Sequence, residues 1–437
     1  MAITGRTALI AAVGALAVGL LFPHWTGFLA VNLPLLLAIL CDVTLAAPVR
    51  KLLFTRSGDT TVRLGDRAEV HLTVTNPTRR TLRADVRDAW PPSAWPSATA
   101  ALTSSRHRVT VPAQHRRRLT TPLRPVRRGD RGSERVTVRS YGPLGLAARQ
   151  GHHTVPWTVR VLPPFTSRKH LPAKLSRLRE LDGRASALTR GEGTEFDSLR
   201  EYVPGDDTRS IDWRATARQA DVAVRTWRPE RDRRLLVVLD TGRTSAGRVG
   251  DAPRLDAAMD AALLLAALAA RAGDRVGLLA YDRGVRALVK GKNAHDLLPA
   301  LVTAMSPLEA SLVETDARGL ATTALAHAAP RSLIVLLTSL DPAPVEEGLL
   351  PVLPLLTQRH KVLLGSVADP RVQEMATARG RPDAVYQAAA GLRAQAAREG
   401  TAERLHRHGV TVVDATPDEL PPALADAYLA LKATGRL

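Results

Sequence analysis

A single cysteine, Cys41, stands in 437 residues, so no disulfide framework holds this chain and the small secreted scaffolds built on one are excluded. Aromatic residues make up only 4% and are not interleaved with the arginines. The stacking platform that single-stranded nucleic acid would need is therefore missing, and no specific nucleic-acid partner is expected. There is no Gly-x-x-x-x-Gly-Lys-Ser/Thr run. Gly291-Lys292 lacks both the glycine spacing before it and the hydroxyl after it, so any nucleotide hydrolysis has to come from elsewhere. A Gly-x-Ser-x-Gly elbow and a His-Glu-x-x-His pair are absent too. His406-Arg407-His408 reads as surface histidines at a helix end. Acids are outnumbered: 61 Lys+Arg against 42 Asp+Glu give +19, a balance that favours anionic partners or an anionic membrane surface. With 45% hydrophobic and 24% charged residues the chain can bury a sizeable core, which excludes wholesale disorder.

Two apolar runs open the chain, Thr7 to Phe22 and Phe28 to about Ala47, separated by Pro23-His24-Trp25-Thr26-Gly27. Each approaches spanning length. A cleaved signal peptide would leave a hydrophilic chain behind it, whereas here a second run follows at once. The expectation is a transmembrane helical hairpin over residues 1–51. Arg6 and Arg50-Lys51 flank it and its loop carries no Lys or Arg, which places both ends, and all that follows, in the cytoplasm of a multi-pass cell-membrane protein. Trp25 would sit at the outer interface. Asp42 would lie near the cytoplasmic end, within reach of water.

From Thr60 to Leu162 the period is two. Ala68, Val70, Leu72 and Val74 alternate with polar residues, and Leu82, Ala84 and Val86 repeat the pattern after Asn76-Pro77. Further runs at 108–111, 134–139 and 155–162 predict an antiparallel all-β sandwich over residues 52–165. The stretch from Arg116 to Arg139 holds nine arginines, which read as a solvated face with lipid headgroups or nucleic acid as the rival contacts.

After Arg233 short apolar runs alternate with helical patterns: strands at 235–239, 276–281, 285–289, 333–337, 362–367 and 410–413, helices near 254–272, 294–303, 345–359 and 387–406, then a final helix. This predicts a doubly wound α/β domain over residues 233–437, with ligands at the carboxyl ends of its strands. Residues 166–232 form a linker with twelve arginines and twelve acids between 179 and 234, suited to internal ion pairs. Phe196, Leu199 and Val203 share a helical face there, Pro204-Gly205 ends that turn, and Asp207 can cap a helix carrying Ile211 and Ala215 inward. The expectation is a helical clasp, with an interaction surface for a partner protein as the alternative.

The linker reads Gly191-Glu192-Gly193-Thr194-Glu195-Phe196, continues through Tyr202-Val203-Pro204-Gly205-Asp206-Asp207 and Arg209, and closes on Asp212-Trp213-Arg214. With the Tyr141-Gly142-Pro143-Leu144-Gly145-Leu146 segment and the strand ending in Asp240, it resembles the bacterial membrane proteins filed as domain-of-unknown-function family fifty-eight. That resemblance implies a von Willebrand factor A-like domain, usually encoded beside a MoxR-type AAA ATPase. It also implies a metal-ion-dependent adhesion site for a hard cation such as Mg²⁺. Asp240 would match the first aspartate, Thr244 the second hydroxyl, Thr315 the threonine and Asp341 the distal acid. Gly242 departs from the pattern by deleting a hydroxyl, and Arg243 adds a positive charge, so metal binding should be weak and Gly242→Ser should tighten it.

The function expected is a non-enzymatic, membrane-anchored adaptor. It would engage the ATPase and a client complex through Asp240, Gly242, Arg243, Thr244 and Asp341. Two alternatives compete. One is a charge-driven binder of anionic lipid or nucleic acid. The other is a cryptic Mg-dependent phosphatase with Asp240 as nucleophile and Asp369 as a metal acid, although Gly242 occupies the position of its general acid.

Overall fold

The apolar runs at the N-terminus fold as helices α1 (Gly5–Leu21) and α2 (Trp25–Leu45). The computed structural model describes residues 2–21, 24–97, 105–188, 195–203, 206–218, 221–228, 233–291 and 294–434. Among the described residues one helix, α2 with the short turn after it, is long and apolar enough to cross a membrane; α1, with 17 residues, is a shorter apolar helix. Trp25 belongs to the first turn of α2, not to an interhelical loop, and is 80% exposed. Large apolar side chains point outward along both helices, Leu9, Val13, Leu16, Leu29, Leu33 and Leu36 among them. Gly14 lets the two helices close up, since a Cβ there would lie 2.6 Å from Val31 Cγ1.

Asp42 is not in reach of water. It is fully buried, and its carboxylate accepts the backbone N–H groups of Leu144 (2.8 Å), Leu146 (2.7 Å) and Ala147 (2.8 Å). The loop that supplies them is the Tyr141 to Leu146 segment, and Gly142 within it has no room for a Cβ beside Asp42. Arg149 Nε donates to the Val43 carbonyl, satisfying another group at the end of α2.

Residues 1–162 make one compact unit and residues 163–437 another. In the first, alternating residues produce the expected sandwich. Its larger sheet has the order β1 (Ala2–Ile3), β9 (Ala147–Leu162), β8 (Gly129–Tyr141), β5 (Leu82–Asp88), β6 (Arg106–Val111), with β3 (Thr61–Arg63) parallel to β9. The smaller sheet is β2 (Leu53–Gly58), β4 (Ala68–Thr75), β7 (Arg116–Leu123). Leu72, Val74, Leu82, Val86, Val109 and Val138 meet between the sheets. One polar network lies inside: Arg56 pairs with Asp88, which also accepts from Trp90 Nε1 (2.8 Å) and Ser133 Oγ (3.1 Å). Burial lowers the pKa of Arg56, against the opposing pull of Asp88.

In the second unit, the helix Leu171–Leu188 precedes a two-stranded antiparallel hairpin of β10 (Glu195–Glu201) and β11 (Ala223–Arg228). The helical clasp expected around Phe196 and Leu199 is therefore a strand pair. The helix expected beyond Asp207 is reduced to a single 3-10 turn, Thr208–Ser210, and a four-residue helix, Trp213–Thr216.

The main sheet follows, ordered β16 (Val285–Val289), β15 (Arg275–Tyr281), β12 (Arg234–Asp240), β17 (Leu333–Leu337), β18 (Lys361–Val367), β19 (Thr411–Ala415). All pairs are parallel except β15 with β16. A small pair, β13 (Arg248–Val249) and β14 (Ala252–Pro253), leads into the helix Arg254–Arg271. That helix and Leu420–Ala433 pack together against the sheet. On the opposite side Val238, Leu336 and Leu364 meet Leu320, Leu353 and Leu405. The helix expected over 345–359 is broken into a π-turn, Pro344–Leu349, and a short helix, Leu353–Thr357, because Pro351 and Pro354 cannot donate to the ladder. Two further helices, Ala317–His327 and Pro370–Thr377, begin at the capping carboxylates of Asp316 and Asp369.

Candidate functional site

β12 has a parallel neighbour on each side. From β12 the sheet extends through β15 and β16 on one side and through β17, β18 and β19 on the other. At such a reversal the loops after the strands part and leave a crevice at their carboxyl ends. Asp240 is the last residue of β12 and is 4% exposed.

Its carboxylate collects donors from three loops. Oδ1 accepts the Gly242 N–H (2.8 Å) and the Thr315 hydroxyl (2.5 Å); Oδ2 accepts the hydroxyls of Thr338 (2.6 Å) and Thr244 (3.3 Å). The Asp240 carbonyl accepts Ser245 Oγ at 2.7 Å. Backbone bonds fix the same loops, Arg243 N to the Val313 oxygen (2.8 Å) and Ser311 N to the Thr241 oxygen (2.7 Å). Each oxygen of this buried carboxyl group thus has two donors. Asp240, Thr244 and Thr315 thus come together. Thr338, inside the Thr338-Ser339-Leu340-Asp341 segment, joins them where sequence reasoning favoured its neighbour Asp341.

Asp341 is engaged differently. It pairs with Arg254 (3.2 Å) and lies 3.8 Å from Arg398, and Ser339 Oγ donates to it at 3.0 Å. Arg398 also holds Asp414 and the Ser366 hydroxyl. Gly242 is required for space: its φ of −77° is ordinary, but a Cβ would overlap Thr315 Oγ1. The hydroxyl lost at 242 is thus replaced by one already seated at Asp240. Arg243 reaches outward and pairs with Glu314, both more than half exposed. A second acid, Asp282, directly follows β15 and opens the turn to β16. Burial pulls its carboxyl up, but the Arg283 N–H and the Ser311 hydroxyl outweigh that and hold it below the usual range.

A hard dication wants several anionic or strongly polar oxygens. Here one carboxylate already accepts four donors and the other is neutralised by two guanidinium groups, so this donor set does not fit Mg²⁺. Among the described residues no group of three or more His, Cys, Asp or Glu converges to hold a metal. Asp369, considered as a metal acid for phosphoryl chemistry, accepts the Arg371 N–H as a helix cap.

Beside Asp240 lies a cleft of about 360 Å³. Leu320, Leu336, Val345 and Leu349 line its apolar part; Arg243, Glu314 and Glu347 supply charge.

In the linker, Phe196 pairs with Trp227 across β10 and β11, and Tyr202 N–H bonds to Val222 O (2.8 Å). Arg200 holds Asp206 through two bonds of 2.6 and 2.7 Å, and Arg225 holds Asp212 at 2.8 Å. Asp207 accepts the Arg209 N–H, and Asp212 caps the turn that carries Trp213 and Arg214, Trp213 being 69% exposed. Pro204 and Gly205 lie outside the described residues. Two of the motif's carboxylates, Asp206 and Asp212, are thus held by arginines of β10 and β11.

Residues 198–383 match the family model for protein of unknown function DUF58. The DUF58 match runs from within β10 past the Asp240 site and the helix Pro370–Thr377. Uncharacterized proteins of Mycobacterium tuberculosis and Mycobacterium bovis are 28% identical over 199 residues, which is 45% of this chain and 61% of theirs. The chain therefore spans about three fifths of the length of these curated relatives. Among solved structures, the conserved hypothetical protein BatB from Bacteroides thetaiotaomicron aligns over 45% of this chain and 98% of its own, at 13% identity and a TM-score of 0.31. A CARDB domain from Pyrococcus furiosus, solved with di-metal ions, aligns over 25% and 87% at 14% identity and a TM-score of 0.18. At such scores nothing transfers from either.

Proposed function

We propose that this chain is a membrane-anchored adaptor without catalytic activity of its own, whose von Willebrand factor A-like domain offers the edge around Asp240 to a protein partner. The state of Asp240 carries this reading. Both its oxygens are occupied by groups from three loops, so it acts as a staple that shapes the edge and is not a free base or nucleophile. The sheet order, reversing at β12, supports reading this part as a doubly wound A-like domain. The adhesion site is degenerate, with Gly242 and Thr315 sharing one place and Asp341 turned to arginine. Beside it, an apolar cleft rimmed by Arg243, Glu314 and Glu347 suits a segment of another protein.

The partner is a MoxR-type AAA ATPase, with a client complex beyond it, and the partner supplies the hydrolysis. α1 and α2 form a hairpin in the cell membrane. Arg6, Arg50 and Lys51 keep its ends, and both soluble parts, in the cytoplasm.

Co-purification from detergent-solubilised membranes tests this, comparing wild type with Arg243→Glu and Glu347→Lys at two salt concentrations. Both side chains belong to the rim, so folding is spared. Loss of a co-purifying ATPase in the variants is expected; equal recovery from all three proteins would sink the proposal.

A further inference from the structure

The outer face of the larger sandwich sheet is paved with arginine. Along β5, β6 and β8 the residues that alternate with the core are Arg83, Arg87, Arg106, Arg108, Arg135 and Arg139, set against Asp85. The register brings them side by side: Asp85 stands opposite both Arg108 and Arg139, and Arg87 opposite Arg106. Like charges placed directly opposite destabilise a sheet, so the fold carries this row at a cost that the sandwich core alone does not explain.

The row runs to the foot of α1. A hollow of about 560 Å³ is lined by Arg6, from the first turn of that apolar helix, together with Arg83, Arg108, Arg139 and Tyr141. A second hollow, of about 630 Å³, shares Arg108 and Arg139 and continues past Arg87 and Arg106. Asp85 organises the junction, accepting Arg108 Nε at 3.0 Å and the Tyr141 hydroxyl at 2.8 Å. Arg139 bonds the neutral Gln150. Arg6 and Arg83 have no ion-pair partner among the described residues.

We propose that this trough is a binding site for the headgroups of anionic phospholipid in the leaflet that α1 enters. The chemistry is that of guanidinium with phosphate, planar forks of donors meeting phosphate oxygens. The position argues for lipid as the source of that phosphate, because the hollow opens where an apolar helix with outward-facing leucines begins. The scarcity of aromatic residues on the face, Tyr141 apart, leaves single-stranded nucleic acid without a stacking surface. This inference rests on the reading of the N-terminal helices as a membrane anchor.

Full-length protein purified in neutral detergent is offered phosphatidylglycerol or phosphatidylcholine, and bound lipid is counted by native mass spectrometry. Wild type should prefer phosphatidylglycerol by about tenfold or more. Arg83→Glu with Arg139→Glu should abolish the preference, while Arg116→Glu with Arg117→Glu, on β7 of the other sheet, should keep it. Should the first pair misfold, judged by its melting curve, Arg83→Gln with Arg139→Gln replaces it with the same expected loss. Equal binding of both lipids by wild type, a preference that survives the Arg83 and Arg139 variants, or single-stranded DNA displacing the lipid at equal concentration overturns the inference. The anchor reading is checked separately by alkaline carbonate. Retention of wild type in the membrane with no lipid preference leaves the anchor standing without the lipid site, whereas release overturns both.

Discussion

The hydroxyl of Thr315 stands where a side chain on residue 242 would begin: a Cβ built on Gly242 would overlap Thr315 Oγ1 and lie 3.0 Å from the Val313 oxygen and 3.1 Å from Asp240 Oδ1. Glycine and threonine here are two halves of one solution to packing around a buried carboxylate.

Gly242→Ser therefore does not restore a metal ligand. It forces Thr315 off Asp240, and the expected outcome is a loss of about 1–3 kcal/mol in stability, as for overpacking elsewhere. Affinity for Mg²⁺ should not improve. Denaturant unfolding and calorimetric titration check the two halves; tighter Mg²⁺ binding with undiminished stability would show that the loops rearrange freely.

Asp240→Ala is not a silent loop change. It leaves the hydroxyls of Thr315 and Thr338 and the Gly242 N–H without their acceptor, at a cost of about 1–3 kcal/mol for each that stays buried and unpaired. Thr338→Val should cost less, about 1 kcal/mol, because only one donor is removed. Thermal unfolding of both variants gives the order; a melting temperature for Asp240→Ala equal to wild type would contradict it.

Asp42→Asn replaces an anionic acceptor of three backbone N–H groups by an amide that turns an N–H toward one or more of them. Hydrogen bonds to charged groups contribute about 1.5–3 kcal/mol, so detergent-solubilised protein should unfold several degrees lower. Protease sensitivity should appear first near the loop at residues 142–147. An unchanged melting temperature would mean that water or another donor arrangement compensates.

Asp274 gives a pH test. Burial raises its carboxyl above the usual range, with Lys432 and Tyr428 pulling the other way. A folded-state pKa above the unfolded one means that the folded chain binds the extra proton. The associated stability is complete below the unfolded value and is lost as pH rises through the folded one. The stability difference between wild type and Asp274→Asn, read from denaturant melts, should thus shift against wild type as pH rises above the ordinary carboxylate range. A shift in the opposite direction would mean that the Lys432 pair (3.1 Å) dominates.

The strands of the main sheet were legible because each is a short apolar run with charge or glycine at its ends, as in Leu235 to Leu239 before Asp240. β10 was not. Phe196 and Leu199, three apart, pair with Trp227 and Arg225, two apart, across a bulge between Phe196 and Ser198. A bulged strand carries the spacing of a helix. At the site, Asp240, Thr244 and Thr315 could be named from a motif, but Asp341 could not be placed, because Arg254 and Arg398 come to it from helices 87 and 57 residues away in sequence. The helices at 317 and 370 were announced by Asp316 and Asp369, a capping signal visible only when each acid is read for its backbone neighbours.

The carboxylate of Asp42, gripped by main chain alone, makes α2 and the β8–β9 turn a single mechanical part. A tilt of the helix has no soft joint in which to dissipate and must swing the sheet with it, like a handle fixed to its blade. Such a weld is also tolerant of drift: Leu144 can change its side chain freely, since its N–H does the holding, whereas residue 142 can be only glycine.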